Sequence, residues 1–392
     1  MNNNAYICSG IIRIEGDMDN PFTIKSYESK EKFCDREEEL ALMLRNCVNN
    51  TDTTLISQRR MGKTGLIMRL FDELKDVRPD IHTIYIDIFA ARNIDDFIKL
   101  MAEAAMRSFK PKTSMGEKLL TFIKSLRPQL SFDSITGEPQ LQIAYQTAHE
   151  KEYTLRGLFE FLDSQGEHIV IAIDEFQQIR DFPEQNMEAL LRTYIQQTHN
   201  LMFIFCGSKK HMMADIFANE KKPFYNSTAF VSLGKISEQS YSNFIRTLLQ
   251  THHRSITDDA LQFILDWTRR HTYYTQQLCH TIYANGSVDI AIEDVKKACD
   301  QLMKQGEAVF LQYRQMLTDK QWNYLIAIAK EENVQQITAA AFLKNHKIGS
   351  PSVSRRLADA LCEKGLLNDE VTLVGTIYSV SDVFLSRWMA RL

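Results

Sequence analysis

The chain has 392 residues, 44% of them hydrophobic and 24% charged, and is long enough for two or three domains with substantial cores. Its formal net charge of −4 excludes a general attraction to nucleic acid or acidic membranes, and no apolar run approaches the roughly 18 residues of a membrane-spanning helix. Seven cysteines stand singly without a C-x-x-C pair, so we expect reduced thiols and no structural zinc site. Residues 1–4 do not resemble the start of a secretion signal, which together with the reduced thiols predicts a cytoplasmic location.

The first chemical motif follows a short apolar strand. Residues 1–30 lack periodicity and predict an extended lead-in, and a helix is predicted from Phe33 onward. Residues 53–56 then predict a strand, residues 57–64 read SQRRMGKT, and a helical pattern starts at Gly65. This order is typical of a phosphate-binding loop, because the turn aims backbone N–H groups at an anion and the helix N-terminus adds positive charge.

The residue types in this loop predict contacts with a nucleoside triphosphate and Mg²⁺. Gly62 lets the backbone approach the phosphates, Lys63 places a charge near the β- and γ-phosphates, and the Thr64 hydroxyl can bind Mg²⁺. Ser57 replaces the first glycine of the usual G-x-x-x-x-G-K-[ST] pattern. The loop residues predicted to bind nucleotide are Ser57, Gln58, Arg59, Arg60, Met61, Gly62, Lys63, Thr64 and Gly65.

Further along the chain, residues 83–88 predict a second strand and residues 94–109 a helix. Residues 110–150 look like an insertion, because two alternating runs flank the turn sequence TGEP at 136–139. Such a pattern predicts a β-hairpin near residues 128–147. A helix is predicted next, at residues 155–164.

A second motif predicts a metal site. Residues 169–173 form an unbroken apolar run, typical of a parallel strand buried on both faces, and end in Asp174 and Glu175. Asp174 can hold Mg²⁺, and Glu175 can polarise the attacking water. The start of a solvated loop is the alternative interpretation, but the loop lysine and threonine earlier in the chain favour the metal site.

The remaining patterns define the fold class and the domains. A helix around residues 187–197 precedes strands at 201–206 and 229–233, so residues 31–236 are predicted to form an α/β domain with a parallel sheet and helices on both faces. Residues 237–316 carry apolar stripes at helical spacing and predict a helical lid. Residues 317–392 predict a winged helix, in which the third helix begins at Ser350-Pro351 and ends at Gly365 before two strands.

With these motifs the chain resembles the archaeal-type ATPases of the AAA+/STAND group of P-loop NTPases, especially bacterial members with two arginines before Gly-Lys-Thr. The resemblance implies that ATP and Mg²⁺ bind and that Glu175 and Lys63 are catalytic. It places Arg36, in an amino-terminal box at residues 33–40, near the adenine, and it implies that Ser208 senses the γ-phosphate. Two interpretations stay open for the loop arginines: contact with the γ-phosphate or a neighbouring subunit, and projection into solvent.

The chain departs from this family before the fifth strand. Members often carry an arginine in a Pro-x-Tyr-Gly-Arg stretch, and this chain has Pro223-Phe224-Tyr225-Asn226-Ser227 there. Because such arginines can accelerate phosphoryl transfer strongly, the resemblance implies slow hydrolysis or substitution by another cation. Arg269 or Arg270 is a candidate sensor in the lid.

Two functions remain open from the sequence. One is a Mg²⁺-dependent ATPase whose nucleotide state switches the lid and winged helix. The other is a nucleotide-gated DNA-binding regulator with little turnover, for which Arg355 and Arg356 are candidate DNA contacts. Residues 316–392 hold nine Lys and Arg against eight Asp and Glu, a net of +1, which is less than a DNA-binding face needs. A protein partner or a homo-oligomer is therefore an alternative use of the winged helix, and no membrane partner is expected.

Overall fold

The computed structural model describes residues 20–25, 27–109, 113–125, 129–132, 139–142, 148–373 and 375–392. Most of the predicted lead-in and the turn of the predicted hairpin, at 133–138, lie outside the described residues. The chain divides into two compact units, which we call the sheet unit, Lys25–Ile236, and the helical unit, which joins Ser237–Leu392 to the described residues 20–24. No helix in the part of the chain that the structure describes is long and apolar enough to cross a membrane.

The sheet unit alternates strands and helices along the chain. In chain order its elements are α1 (Glu37–Val48), β1 (Thr53–Ile56), α2 (Lys63–Val77), β2 (Ile81–Asp87), α3 (Ile94–Ser108), α4 (Ser114–Ser125), β3 (Gln129–Phe132), β4 (Pro139–Gln142), α5 (Ala148–Asp163), β5 (His168–Asp174), a 3₁₀ helix (Phe176–Asp181), α6 (Met187–Ile195), β6 (Leu201–Gly207), α7 (Lys210–Ala218) and β7 (Ala229–Ser232). Strands β3 and β4 form a separate antiparallel pair.

The other five strands form one parallel sheet in the order β2-β5-β6-β1-β7. Its two faces are covered by two apolar cores, one shared with α1 and α2 and the other with α3 to α7. Strands β1 and β6 are buried along their whole length, which agrees with the absence of charged residues from their sequences, TTLI and LMFIFCG. The predicted α/β class with helices on both faces is confirmed.

The strand order brings distant residues together at the carboxyl edge of the sheet. Ile56, the last residue of β1, pairs with Gly207 at the end of β6. Asp87, at the end of β2, pairs with Asp174 at the end of β5. Ligands of open parallel sheets bind beyond this edge, so the loops that follow these strands form the candidate site.

Some elements of the sheet unit have weak sequence signals. Helices α4 and α7 and the 3₁₀ helix were not among the predicted elements. The 3₁₀ helix has six residues and directly follows Glu175, where the sequence shows no helical repeat of its own. It is held by Phe176, whose fully buried ring packs against Phe205, Phe217 and Phe224.

The helical unit contains the predicted helical segment and the predicted winged helix. Its elements in chain order are α8 (Glu238–Thr251), β8 (Ser255–Ile256), α9 (Asp258–Trp267), α10 (Thr272–Ala284), β9 (Asp289–Ile290), α11 (Ile292–Met316), α12 (Asp319–Glu331), α13 (Ala340–Asn345), α14 (Pro351–Glu363), β10 (Leu367–Thr372), β11 (Gly375–Val380) and α15 (Val383–Met389). Helices α12 to α14 and the antiparallel β10–β11 pair confirm the winged-helix prediction.

Helix α15, which the sequence did not predict, joins the winged helix to the helices before it. Arg387 on α15 donates hydrogen bonds to the backbone oxygens of Asp266 and Trp267, both at 3.0 Å, and forms an ion pair with Glu332. The Phe384 ring of α15 lies 5.4 Å from the Trp267 ring. The two segments therefore belong to one compact unit.

Candidate nucleotide-binding site

The loop between β1 and α2 has the backbone of an anion-binding turn. Gly62 caps α2 with φ of 97°, a left-handed conformation that favours glycine, and Arg60 also has positive φ, 62°. Ser57, Met61 and Lys63 are buried at the base of the loop. The remaining predicted residues are at least partly accessible: Gln58, Arg59, Arg60, Gly62, Thr64 and Gly65.

Ser57 interacts with the loop lysine. Its hydroxyl lies 3.4 Å from the Lys63 Nζ and donates a hydrogen bond to the backbone oxygen of Gln58 at 2.9 Å. Lys63 is only 6% exposed, so its ammonium group is directed into the site and not into bulk solvent. The departure from the usual first glycine therefore adds a hydroxyl that orients the ammonium group.

A long-range hydrogen bond joins the loop to the acidic strand. The Thr64 hydroxyl donates to Asp174 Oδ2 at 2.8 Å, although the two residues are 110 positions apart. Asp174 is 5% exposed, and its Oδ1 accepts the Glu175 N–H at 2.9 Å. A hydroxyl and a carboxylate that converge in this way fit Mg²⁺, a hard cation that prefers oxygen ligands.

Tyr85 is a site residue that the sequence did not indicate. Its hydroxyl donates to the same Asp174 Oδ2 at 2.9 Å from the neighbouring strand β2. Burial raises the pKa of Tyr85, and the Asp174 charge raises it further, so the phenol stays a donor. The sequence placed Tyr85 inside a strand, but its role depends on β2 lying next to β5.

Glu175 adopts a left-handed backbone conformation, with φ of 54°, directly before the 3₁₀ helix. Its Oε2 accepts hydrogen bonds from the Ser208 hydroxyl at 2.8 Å and from the Gln177 amide. Ser208 follows β6 as the sequence predicted, and in this structure its hydroxyl contacts the glutamate.

The charges of the site are arranged around the end of β6. Burial raises the pKa of the Cys206 thiol well above its usual value, nearby Asp174 and Glu175 raise it further, and Lys63 lowers it. Desolvation also raises the pKa of Asp87, and the two neighbouring carboxylates add to this shift. The site therefore collects three acidic side chains and one buried ammonium group, a charge pattern suited to a metal-bound polyphosphate.

The amino-terminal box lies beside the first turn of α2. A Cβ atom at Gly65 would lie 3.2 Å from the Phe33 ring, so the absence of a side chain there permits this packing. Arg36 donates to Glu39 at 2.9 Å and to the backbone oxygen of Gly234 at 2.6 Å. These contacts fasten the start of α1 to the segment after β7, and nucleotide contact by Arg36 stays a prediction.

Two further cations, one in each unit, make contacts within their own unit. Lys222, in the segment between α7 and β7, lies 3.4 Å from Glu188. Arg269 in the helical unit donates to the Ser386 hydroxyl at 2.9 Å. Burial lowers the pKa of Arg269 to about 10, and nearby Arg387 lowers it further.

The comparisons with known proteins agree with this architecture. A family model described as an ATPase domain predominantly from Archaea matches residues 33–269, and one described as a probable winged helix domain matches residues 308–391. The comparison with curated proteins gave no match.

Among solved structures, a Walker-type ATPase of Pyrococcus abyssi is similar, with a TM-score of 0.64 and 19% identity over 95% of this chain and 100% of that chain. The ORC2 protein of Aeropyrum pernix, in ADPNP–ADP complexes, gives a TM-score of 0.58 and 14% identity over 91% of this chain and 92% of that chain. The ORC1 protein of Aeropyrum pernix in complex with DNA gives a TM-score of 0.52 and 11% identity over 91% of this chain and 92% of that chain. At these identities the likeness concerns the fold.

Proposed function

Because the chain belongs to the family of ATPase domains found predominantly in Archaea, we propose that it binds ATP with Mg²⁺ and hydrolyses it to ADP and phosphate. The observation that carries the proposal is the 2.8 Å contact between Thr64 and Asp174, with Glu175 as the next residue. It joins a phosphate-binding loop to an acidic strand end at the carboxyl edge of a parallel sheet, where the two parts of such a site are needed.

Each residue has a defined part in the proposed reaction. The N–H groups of the loop and the Lys63 ammonium bind the phosphates, and Thr64 and Asp174 would hold the metal ion. The chemistry that Mg²⁺ supplies when bound is neutralisation of charge on the phosphate oxygens. Tyr85 and the Glu175 N–H keep the Asp174 carboxylate in place by donating to its two oxygens.

Glu175 acts as the general base in this proposal. A water oxygen bonds to the γ-phosphorus, and the bond from that phosphorus to the oxygen it shares with the β-phosphate breaks. The bonding electrons leave with ADP, and the water proton goes to the Glu175 carboxylate. Without an arginine in the segment before β7, we expect turnover to be slow unless another cation acts there.

The finer proposal is that nucleotide state switches the helical unit. Its support is that the segments predicted as lid and winged helix are joined through Arg387 and the Phe384–Trp267 ring contact. A change in one segment would therefore carry the other with it. Limited proteolysis with ADP and with a non-hydrolysable ATP analogue tests this point, and identical cleavage patterns in the two states would contradict it.

Phosphate release from purified protein tests the hydrolysis itself. Lys63→Ala is expected to abolish ATP binding, whereas Glu175→Gln keeps binding and loses turnover. Lys75→Ala is the matched control, because Lys75 is an exposed lysine of the same helix α2. Undiminished phosphate release by Glu175→Gln would remove the general-base assignment, and no release by the wild type would remove the proposed function.

A second candidate function is DNA binding through the winged helix. Arg355 and Arg356 are exposed on α14, and the ORC1 structure with a similar fold contains DNA. The wing at residues 367–380 carries two acids and no Lys, Arg or His, which disfavours a second contact with a phosphate backbone. A gel shift with duplex DNA at several salt concentrations, with and without ATP, decides between the functions. If the double variant Arg355→Ala/Arg356→Ala loses DNA binding and Lys364→Ala keeps it, the DNA-binding function is supported. DNA binding that does not weaken as the salt concentration rises would count against this function.

A further inference from the structure

A buried glutamine contacts the glutamate that we propose as the base. Gln177 lies in the first turn of the 3₁₀ helix and is 4% exposed. Its amide Nε2 donates to Glu175 Oε2, and its amide Oε1 is buried without a hydrogen-bond partner among the described residues. A buried acceptor without a partner is unfavourable, so the charge-assisted bond on the other side of the amide has to offset this cost.

The Glu175 carboxylate decides which side of the Gln177 amide faces it, and the packing leaves room for the amide. A rotated amide would direct Oε1 at the carboxylate, and two acceptors would then repel each other. The amide fits because Gly207, at the end of β6, has no side chain: a Cβ atom there would overlap Gln177 Oε1 and the Met213 sulfur. The buried Phe176 ring, one residue earlier, anchors the same turn in an aromatic cluster.

The two donors on Glu175 act on a single oxygen. Gln177 and Ser208 both donate to Oε2, and they come from different elements, the 3₁₀ helix and the end of β6. No donor in the part of the chain that the structure describes contacts Oε1. The carboxylate is therefore held through one oxygen and keeps the other for a proton.

We propose that Gln177 is a positioning residue, which holds Glu175 through Oε2 so that Oε1 takes the proton of the attacking water. This inference rests on the proposed ATPase function. It assigns a role to a residue whose side chain makes no hydrogen bond to the described loop residues 57–65, and it distinguishes the two oxygens of Glu175.

Gln177→Met tests this role, because methionine has a similar length and no amide donor. We expect nucleotide affinity, measured by direct binding, to stay within about twofold and kcat to fall about tenfold, since orientation of a general base affects the transition state more than binding. The loss should therefore fall on kcat and not on nucleotide affinity, whereas a merely structural defect would lower both. Gln178→Met is the matched control, one residue along the same 3₁₀ helix and without a side-chain bond to Glu175.

A second variant keeps the test decisive if Gln177→Met does not fold. Gln177→Glu preserves the size of the side chain but replaces the amide donor with a carboxyl group, so kcat should fall at least as far as in Gln177→Met while nucleotide affinity stays within about twofold. If the wild type is active and the Gln177 variants have the same kcat as Gln178→Met, the inference is overturned. An inactive wild type would instead overturn the proposed function on which it rests.

Discussion

Tyr85→Phe removes one of the three hydrogen bonds that the Asp174 carboxylate accepts from the described residues of the chain. The bonds from Thr64 and from the Glu175 N–H, at 2.8 and 2.9 Å, remain. A hydrogen bond to a charged group contributes roughly 1.5–3 kcal/mol, and we take the lower end, about 1.5 kcal/mol, because two donors stay in place. Since Asp174 is 5% exposed, water does not readily replace the lost donor.

Two measurements follow from this value. The sheet unit has roughly 200 residues, so a loss of about 1.5 kcal/mol lowers its Tm by about 3–6 °C. Loss of a group that orients a metal-binding carboxylate weakens metal affinity by about 10–100-fold, so the Mg²⁺ concentration for half-maximal phosphate release should rise at least tenfold. Differential scanning calorimetry and a Mg²⁺ titration of phosphate release measure the two effects.

Tyr194→Phe provides the control, because it removes a phenol hydroxyl elsewhere in the sheet unit, 3.4 Å from a backbone oxygen. Its Mg²⁺ dependence should match that of the wild type. If Tyr85→Phe also shows wild-type Mg²⁺ dependence while wild type hydrolyses ATP, the hydroxyl does not orient a metal ligand and the reasoning is refuted.

Three further predictions concern stability and activity. Burial raises the pKa of Asp52 to about 6, above its unfolded value, so its folded state binds a proton more tightly and stability falls as pH rises from about 4 to 6. The free energy of unfolding of Asp52→Asn, measured in urea, should therefore rise relative to that of the wild type by about 2 kcal/mol between pH 4 and pH 7. A stability difference that does not depend on pH would contradict this expectation. Arg387→Met removes the partner of Glu332 and of two backbone oxygens. Calorimetry should therefore show the helical unit destabilised by about 2–4 kcal/mol. The control Arg356→Met, at an exposed arginine, should change the stability little. Gly207→Ala should lower kcat in phosphate-release assays, because its Cβ displaces the amide next to Glu175, and unchanged kcat would show that the turn adapts.

The phosphate-binding loop and the acidic strand could be predicted because their signals are local. A glycine before lysine and threonine at a helix start, and two acids after an apolar run, each follow from a few adjacent residues. The structure brings Thr64 and Asp174 into contact, as this prediction requires. The alternation of strands and helices likewise predicted the parallel sheet.

Two of the elements that the sequence did not predict are too short to show a recognisable pattern. The 3₁₀ helix has six residues and α15 has seven, too few to show a repeat that differs from a loop. Both are stabilised by side chains that pack against partners far along the chain, such as Phe176 against Phe205 and Phe384 against Trp267.

The sequence by itself determined the α/β class, the winged helix and the residue types that would bind a metal-bound triphosphate, because backbone propensity and apolar spacing are properties of neighbouring residues. Only the tertiary structure decided which side chains surround the predicted site residues. Tyr85 reaches Asp174 because β2 pairs with β5, and Gln177 reaches Glu175 because β6 ends in a glycine that leaves space for its amide. Such contacts depend on strand order and on atomic packing, and no local pattern encodes either.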